Sequence, residues 1–372
     1  MTRLLPPYPG PGPLGPTTEL WLEIGAGREA EAMAHALRQR GCQVRLGGLG
    51  DLTVGGRLGA LEGVARSLSS AAALGRAAAT LSRTLGHLSR PPPPLRLGRT
   101  SWRFGRRTYL LGVVNVTPDS FSGDGVGDSP EAALERAQSL VAEGADALDV
   151  GGESTRPGHQ PVPAADELKR VVPAVRLISS RLQVPVLVDT SKAEVARAAL
   201  AAGAVGINDV WGLARDPEMA RVASGSGAAL ICMHNQRGTE YRDLLAEVQD
   251  QLTAAVDRAS QAGLPPSQVV LDPGIGFGKG PRQNFEVLRR LAELRVLGHA
   301  ILVGTSRKSL VAAALGERPV GDRLLGTAAT VAWAIAAGAD VVRVHDVAEM
   351  RDVARVTDVL ARRAALRPGS RR

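Results

Sequence analysis

Aromatic residues are scarce: 3% of 372 positions, with four Phe, four Trp and three Tyr. That disfavours a nucleic-acid surface, which needs rings interleaved with basic side chains. Cysteine is scarcer still, and Cys42 and Cys232 stand far apart, which excludes a disulfide-stapled scaffold and points to a reducing compartment. Lysine is nearly absent, with 4 residues against 41 Arg. No apolar run is long enough to span a bilayer: the longest, Gly326 to Ala339, is bounded by Arg323 and Asp340 and reads as a buried helix. Met1 to Pro16 carries prolines where a secretion signal needs an apolar stretch, so a cytoplasmic location is expected, without membrane or nucleic-acid partners.

What is present is ordinary globular material. Hydrophobic residues make up 44% and charged residues 22%, which excludes general disorder and a collagen repeat. The length suits one large domain or two ordinary ones. The net charge of +8 is unevenly placed: the first hundred residues hold twelve Arg against six acids, a net of +6, leaving +2 for residues 101–372. A solvated Arg-rich surface accounts for this.

Two proline clusters divide the chain, Pro6 to Pro16 and Pro91 to Pro94. Four consecutive prolines favour a stiff extended spacer. The reading is therefore a small α/β extension over 1–90, a linker over 91–100 and a main domain over 101–372. In the extension, Glu19–Ile24 and Gln43–Leu49 read as strands, Glu29–Arg40 as a helix and 58–88 as one or two helices. Gly25-Ala26-Gly27-Arg28-Glu29-Ala30 formally matches G-x-G-x-x-A, but the module lacks the rest of a dinucleotide domain, so packing or dimerisation is the preferred role.

Downstream, eight apolar strand-like runs alternate with helix-like segments: Tyr109–Val116, Ala147–Gly151, Val186–Asp189, Gly206–Val210, Ala229–Met233, Val269–Asp272, Ala300–Gly304 and Val341–Val344. Helices are expected over Glu131–Glu143, Asp166–Arg181, Glu194–Ala202, Pro217–Ser224, Tyr241–Ala262, Asn284–Leu297 and Thr327–Ala337. Repeated β-α units over this length fit a (β/α)8 TIM barrel of ~250 residues, with a doubly wound open sheet as the competing architecture.

Unusual polar residues fall at or just past the strand ends: Asn115, Asp149, Asp189, Asn208, His234, Asp272, Ser306 with Lys308, and Arg343 with His345. Any one of them taken alone reads better as a turn former or helix cap. Together they nominate one pocket, because strand C-termini converge on one barrel face. Acids and amides select a ligand rich in N–H donors. Arg, Lys, His and amide-rich loops select anionic oxygens. A heterocycle with a guanidine-like edge and a pyrophosphate satisfies both.

Seven ordered segments, Gly112 to Ser122, Gly152 to Gly158, Val188 to Lys192, Asn208-Asp209, Asp272 to Lys279, Ser306 to Ser309 and Arg343 to Val347, closely resemble those of the dihydropteroate synthase family. The resemblance runs from about residue 108 to about 360. It implies condensation of 6-hydroxymethyl-7,8-dihydropterin diphosphate with 4-aminobenzoate to 7,8-dihydropteroate and pyrophosphate in folate biosynthesis, in a homodimeric enzyme of the class that sulfonamides target. By motif position, Asp189, Asn208, Asp272 and Lys308 would hold the pterin. Asn115 would bind Mg²⁺ on the diphosphate, while Arg156, Arg343 and His345 neutralise the leaving group. Asp189, Lys308, Arg343 and His345 form the implied catalytic set. Ser309, Thr155, Phe121, Pro157 and Phe277 would surround aminobenzoate. One departure is visible: after Ser120-Phe121-Ser122 the family's D-G-G reads Gly123-Asp124-Gly125, so the role of Asp124 stays open. Two other functions remain in view, a pterin-binding methyltransferase domain and a non-catalytic pterin-binding homologue.

Overall fold

The computed structural model describes residues 2–5, 14, 16–47, 50–68, 74–117, 127, 129–153 and 161–362. They divide into two compact units, Met1–Pro92 with Arg290–Gly298, and Pro93–Arg289 with His299–Arg372.

The first unit contains strands β1 (Thr2–Leu5), β2 (Glu19–Gly25), β3 (Gln43–Leu46) and β4 (Asp51–Arg57), and helices α1 (Ala30–Arg38), α2 (Leu58–Leu68) and α3 (Gly75–Ser89). Its sheet runs β1-β2-β4-β3 with every pair antiparallel. Alternate residues face inward, as the two-residue period of a strand requires: Leu20, Leu22, Ile24, Leu52 and Val54 are buried with Met33, Leu37, Leu61 and Leu81 from the helices. The glycine turn after β2 leads into no parallel β-α-β pair. Its Ala26 and Gly27 N–H groups both donate to the Gly50 carbonyl, at 3.0 and 2.9 Å, so the amides that would cradle a pyrophosphate are already engaged.

The second unit begins with a hairpin, β5 (Leu95–Leu97) paired antiparallel with β6 (Thr100–Trp102). Part of the stretch whose prolines suggest a spacer is thus ordered strand. Eight parallel strands then close into a barrel: β7 (Tyr109–Asn115), β8 (Ala147–Gly151), β9 (Val186–Asp189), β10 (Gly206–Asp209), β11 (Ala229–Met233), β12 (Val269–Asp272), β13 (Ala300–Val303) and β14 (Val341–Val344). β14 pairs with β7, which excludes the open sheet. The strands are continuous apolar runs because helices cover the outside while side chains fill the inside. The helices are α4 (Pro130–Glu143), α5 (Ala164–Arg181), α6 (Ala193–Ala201), α7 (Met219–Ser226), α8 (Leu244–Gln261), α9 (Pro281–Arg289), α10 (Ser309–Leu315), α11 (Leu324–Ala336) and α12 (Val347–Arg362). The expected helix over Asn284–Leu297 is α9 followed by a tighter 3-10 segment, Leu291–Leu297. Helix α12 goes beyond the sequence reading.

Three of the scarce aromatics lie at the strands' N-terminal end. Trp102 stacks on Tyr109 at 4.5 Å between ring centroids, and Phe104 meets Tyr109 edge-on at 5.8 Å. With Leu95 and Leu97 they pack on Leu111, Leu187, Ile231 and Leu302 and close the barrel floor. Among the described residues no helix is long and apolar enough to cross a membrane.

Candidate active site

A strand end that exposes polar groups inside a closed barrel must pair them or present them to a ligand. Both occur at the C-terminal end. Arg343, the penultimate residue of β14, donates through Nε to Asp149 Oδ2 at 2.6 Å and through Nη2 to Asp189 Oδ2 at 2.8 Å. Asn208 Nδ2 donates to the same Asp149 oxygen at 2.8 Å. Four strands, β8, β9, β10 and β14, are thereby tied into one polar cluster. Asp149 is its hub, although alone at a strand end it looks like an ordinary turn former.

The cluster is not saturated. Asp149 Oδ1 and Asp189 Oδ1 are buried with no hydrogen-bond partner among the described residues. Burial raises Asp189 above the ordinary carboxylate range, Arg343 opposes that rise, and Asp149 and Glu167 add to it. For Arg343 burial works against the charge, but Asp149 and Asp189 outweigh it and hold the guanidinium firmly protonated. A ligand N–H donor would relieve both acids.

Asp272, the last residue of β12, caps its own turn by accepting from Gly274 N–H at 2.7 Å. Burial raises its pKa, opposed first by Lys308, then by the Gly274 bond, Lys279 and Arg343. Lys308, at the N-cap of α10, donates to the Ile275 carbonyl at 2.6 Å and lies 4.6 Å from the centroid of the half-buried Phe277 ring. Its pKa is lowered to about 8 by burial, with Asp272 opposing and Arg343 reinforcing. Asp272, Lys308 and Arg343 are thus near enough to act on one another's charge. Ser309 is exposed as the first residue of α10.

The backbone turn that presents Lys308 is strained. Arg307 adopts a left-handed φ of 59°, a conformation costing on the order of 1–3 kcal/mol that the surroundings must over-determine. Its N–H donates to Thr327 Oγ1 at 3.1 Å, its carbonyl accepts from Arg323 Nη1 at 2.9 Å, and its Nε donates to Asp346 Oδ2 at 3.1 Å. The Arg307–Asp346 pair links the segments after β13 and β14, the segments that carry Lys308 and His345. His345 Nδ1 lies 2.9 Å from Ser306 Oγ, which also accepts from the His345 N–H at 3.2 Å.

A cavity of 570 Å³ opens at the same end, walled by Asp189, Thr190, Trp211, Asn235, Phe277 and Lys279. Asn208, Asp272, Lys308 and Arg343 are not in that wall; the Asp272 carboxylate and the Asn208 amide are nearly fully buried. Glu153 and the fully buried Glu167 also belong to the wall and are both ion-paired with Lys192, and Glu153 accepts from Val162 N–H at 3.2 Å. Sequence reasoning left this trio out. Its signal was compositional: in a chain with four lysines, Lys192, Lys279 and Lys308 all gather at this end.

His234 behaves differently from a ligand-facing group. It is 1% exposed, and its Nδ1 lies 2.8 Å from Lys279 Nζ. Asn115 ends β7 half-buried. Phe121, Thr155, Arg156 and Pro157, with Asp124, lie outside the described residues.

The family model for pterin binding enzymes matches residues 111–345, a span that takes in the whole cluster. The chain belongs to the dihydropteroate synthase family. It is 44% identical over 278 residues to the dihydropteroate synthase of Synechocystis sp., covering 73% of this chain and 96% of that one. The Clostridium beijerinckii dihydropteroate synthase is 43% identical over 270 residues, covering 72% and 100%. Among solved structures, a Clostridium difficile dihydropteroate synthase crystallised in the presence of pteroic acid has 46% identity and a TM-score of 0.67, covering 70% of this chain and 99% of that one. The Thermus thermophilus enzyme in complex with 4-aminobenzoate has 43% identity and a TM-score of 0.64, covering 72% and 99%. Family members thus align along nearly their whole length with the barrel portion of this chain.

Proposed function

We propose that this chain condenses 6-hydroxymethyl-7,8-dihydropterin diphosphate with 4-aminobenzoate, releasing pyrophosphate and forming 7,8-dihydropteroate for folate synthesis. The observation that carries the reading is the Asp149–Arg343–Asp189–Asn208 cluster with Asp272 and Lys308 beside it, inside a barrel of the dihydropteroate synthase family.

Asp189, Asn208 and Asp272 accept from the amino-pyrimidine edge, and Lys308 donates to the ring's acceptors. Arg343 and His345, with Arg156, bind the departing diphosphate, so that negative charge develops against fixed cations. Among the described residues no three His, Cys, Asp or Glu side chains form a metal cluster. Asn115, half-buried at the end of β7, would hold Mg²⁺ through its amide oxygen, a hard donor that suits this cation. When bound there, Mg²⁺ neutralises charge on the leaving group. The electron-rich pterin tolerates a positive methylene, so the displacement is SN1-like: the carbon–oxygen bond to pyrophosphate breaks, the aniline nitrogen attacks as a neutral nucleophile, and it then loses a proton. Ser309, Phe277, Thr155, Pro157 and Phe121 surround that second substrate. Arg343 leaves its carboxylates in part as diphosphate arrives, exposing Asp189 to the pterin.

The enzyme acts as a homodimer in this reading, supported by Leu325 and Trp333 on α11 and Val356 and Leu360 on α12, all exposed on two helices packed side by side. Light scattering should give twice the chain mass, and a monomer of unchanged activity would contradict that part. The test of the reaction is purified protein with both substrates and Mg²⁺. Dihydropteroate and pyrophosphate should appear in equal amounts, and 4-aminobenzoate should bind weakly until pyrophosphate is present. Tight aminobenzoate binding to pyrophosphate-free protein would contradict cleavage before attack.

A further inference from the structure

The loop from Asp272 to Lys279 is wrapped around an ammonium group. Lys279 is 7% exposed. Its Nζ lies 2.8 Å from His234 Nδ1, 3.2 Å from the Gly274 carbonyl and 3.1 Å from the Phe277 carbonyl. An ammonium has three hydrogens, and here three neutral acceptors take them. The rest of the loop is bonded as fully. Lys308 donates to Ile275 O, Tyr241 Oη to Gly278 O at 2.7 Å, and Gly276 N–H to Asn284 Oδ1 at 2.6 Å. The approach is too close for side chains: a Cβ on Gly274 would stand 1.9 Å from the His234 carbonyl, and one on Gly278 would stand 2.7 Å from the Gln236 carbonyl.

We propose that Lys279 is a positioning residue: its protonated side chain closes this loop on His234 and so fixes the Phe277 ring beside Lys308, where the aminobenzoate half of the site is formed. The proposal deepens the function inferred above and rests on it. Lys279 contacts neither the pterin-edge acids nor the diphosphate cations through any hydrogen bond, so its effect passes through Phe277.

The charged and titratable groups around Lys279 are His234 past β11, Asp272 at the end of β12, Lys308 before α10 and the Tyr241 hydroxyl on Gly278. Burial lowers Lys279 to about 7, Asp272 opposes that fall and Lys308 deepens it. Burial and the nearby Lys279 charge lower His234 to about 3, so its imidazole stays a neutral acceptor. Above about pH 7 Lys279 loses a hydrogen and can no longer serve all three acceptors. The loop therefore loosens as pH rises.

The experiment measures Lys279→Met and the unaltered protein in steady state, with pterin affinity measured separately by calorimetry. In the variant KM for 4-aminobenzoate should rise at least ~10-fold, while kcat and pterin affinity stay within ~3-fold. The unaltered protein should lose kcat/KM for aminobenzoate above about pH 7, and the variant should lack that limb. Unchanged aminobenzoate KM, or equal losses in all three quantities, would overturn the proposal. Absence of pterin binding in both proteins would instead defeat the functional reading beneath it. Should Lys279→Met fail to fold, lysine Cε resonances of the unaltered protein, only four in number, decide the matter. Lys279 should titrate below ~8 and shift when aminobenzoate and pyrophosphate are added. A midpoint above ~9.5, or no response to aminobenzoate, would overturn it.

Discussion

The two ends of the barrel bury carboxylates beside arginine in opposite ways. At the N-terminal end Asp358 accepts from Thr108 N–H at 2.7 Å and Thr108 Oγ1 at 2.8 Å, and Arg362 pairs with both Asp358 and Asp340 at 3.0 and 3.5 Å. Trp102, Phe104 and Tyr109 close the surroundings. At the C-terminal end Asp149 and Asp189 share one arginine and each keeps a buried oxygen without a partner among the described residues. Only β14 adjoins both: Asp340 immediately precedes it and Arg343 lies within it, while Asp358 and Arg362 belong to α12. Carboxylates whose oxygens are all engaged contribute a unique fold, whereas carboxylates with an unbonded oxygen store recognition for a ligand at the expense of stability.

Substitutions should separate the two. Trp102→Ala at the floor should show the largest stability loss, about 3–5 kcal/mol for a truncated buried aromatic, read by denaturant unfolding. KM for both substrates should stay near the unaltered value. Arg343→Ala should show the largest loss of function. It removes the shared cation, so affinity for the pterin diphosphate should fall further than affinity for the free pterin alcohol. Equal losses for both ligands would assign Arg343 to the fold alone. Asp272→Ala comes next, reducing pterin affinity by about 1.5–3 kcal/mol, the worth of a hydrogen bond to a charged group, with a small change in melting temperature. Ser129→Ala sharpens the scale from below. Ser129 Oγ accepts from Ala132 N–H at 3.2 Å at the start of α4, so its loss should reduce stability by ~1 kcal/mol and leave turnover untouched.

Much of the barrel was legible because strands buried on both faces are continuous apolar runs, and all eight are found where those runs stand. The first unit read less well. β4, with the sequence DLTVGGR, hides its inward Leu52 and Val54 behind two glycines, and β1 is only four residues long. The hairpin β5–β6 was masked by the prolines before it, since a three-residue strand offers one alternation and no more. At the candidate site, type and position nominated Asp189, Asn208, Asp272, Lys308 and Arg343, which converge. Three details stayed hidden for physical reasons. Asp149 was nominated with the other strand ends, but its position alone does not show that it is the hub that binds Arg343 and Asn208. The Arg307–Asp346 pair joins residues far apart in sequence. His234 looked like a member of the pocket, and only the folded loop reveals that it faces Lys279.

The most direct test is calorimetric titration of one pterin into the unaltered protein and into Asn208→Ala, Asp272→Ala and Lys308→Ala. Binding should occur at a single site per chain, and each substitution should weaken it about 10-fold or more while the fold persists. Unchanged affinity across all three folded variants would contradict the account, because the side chains of three separate strand ends would then not share a ligand.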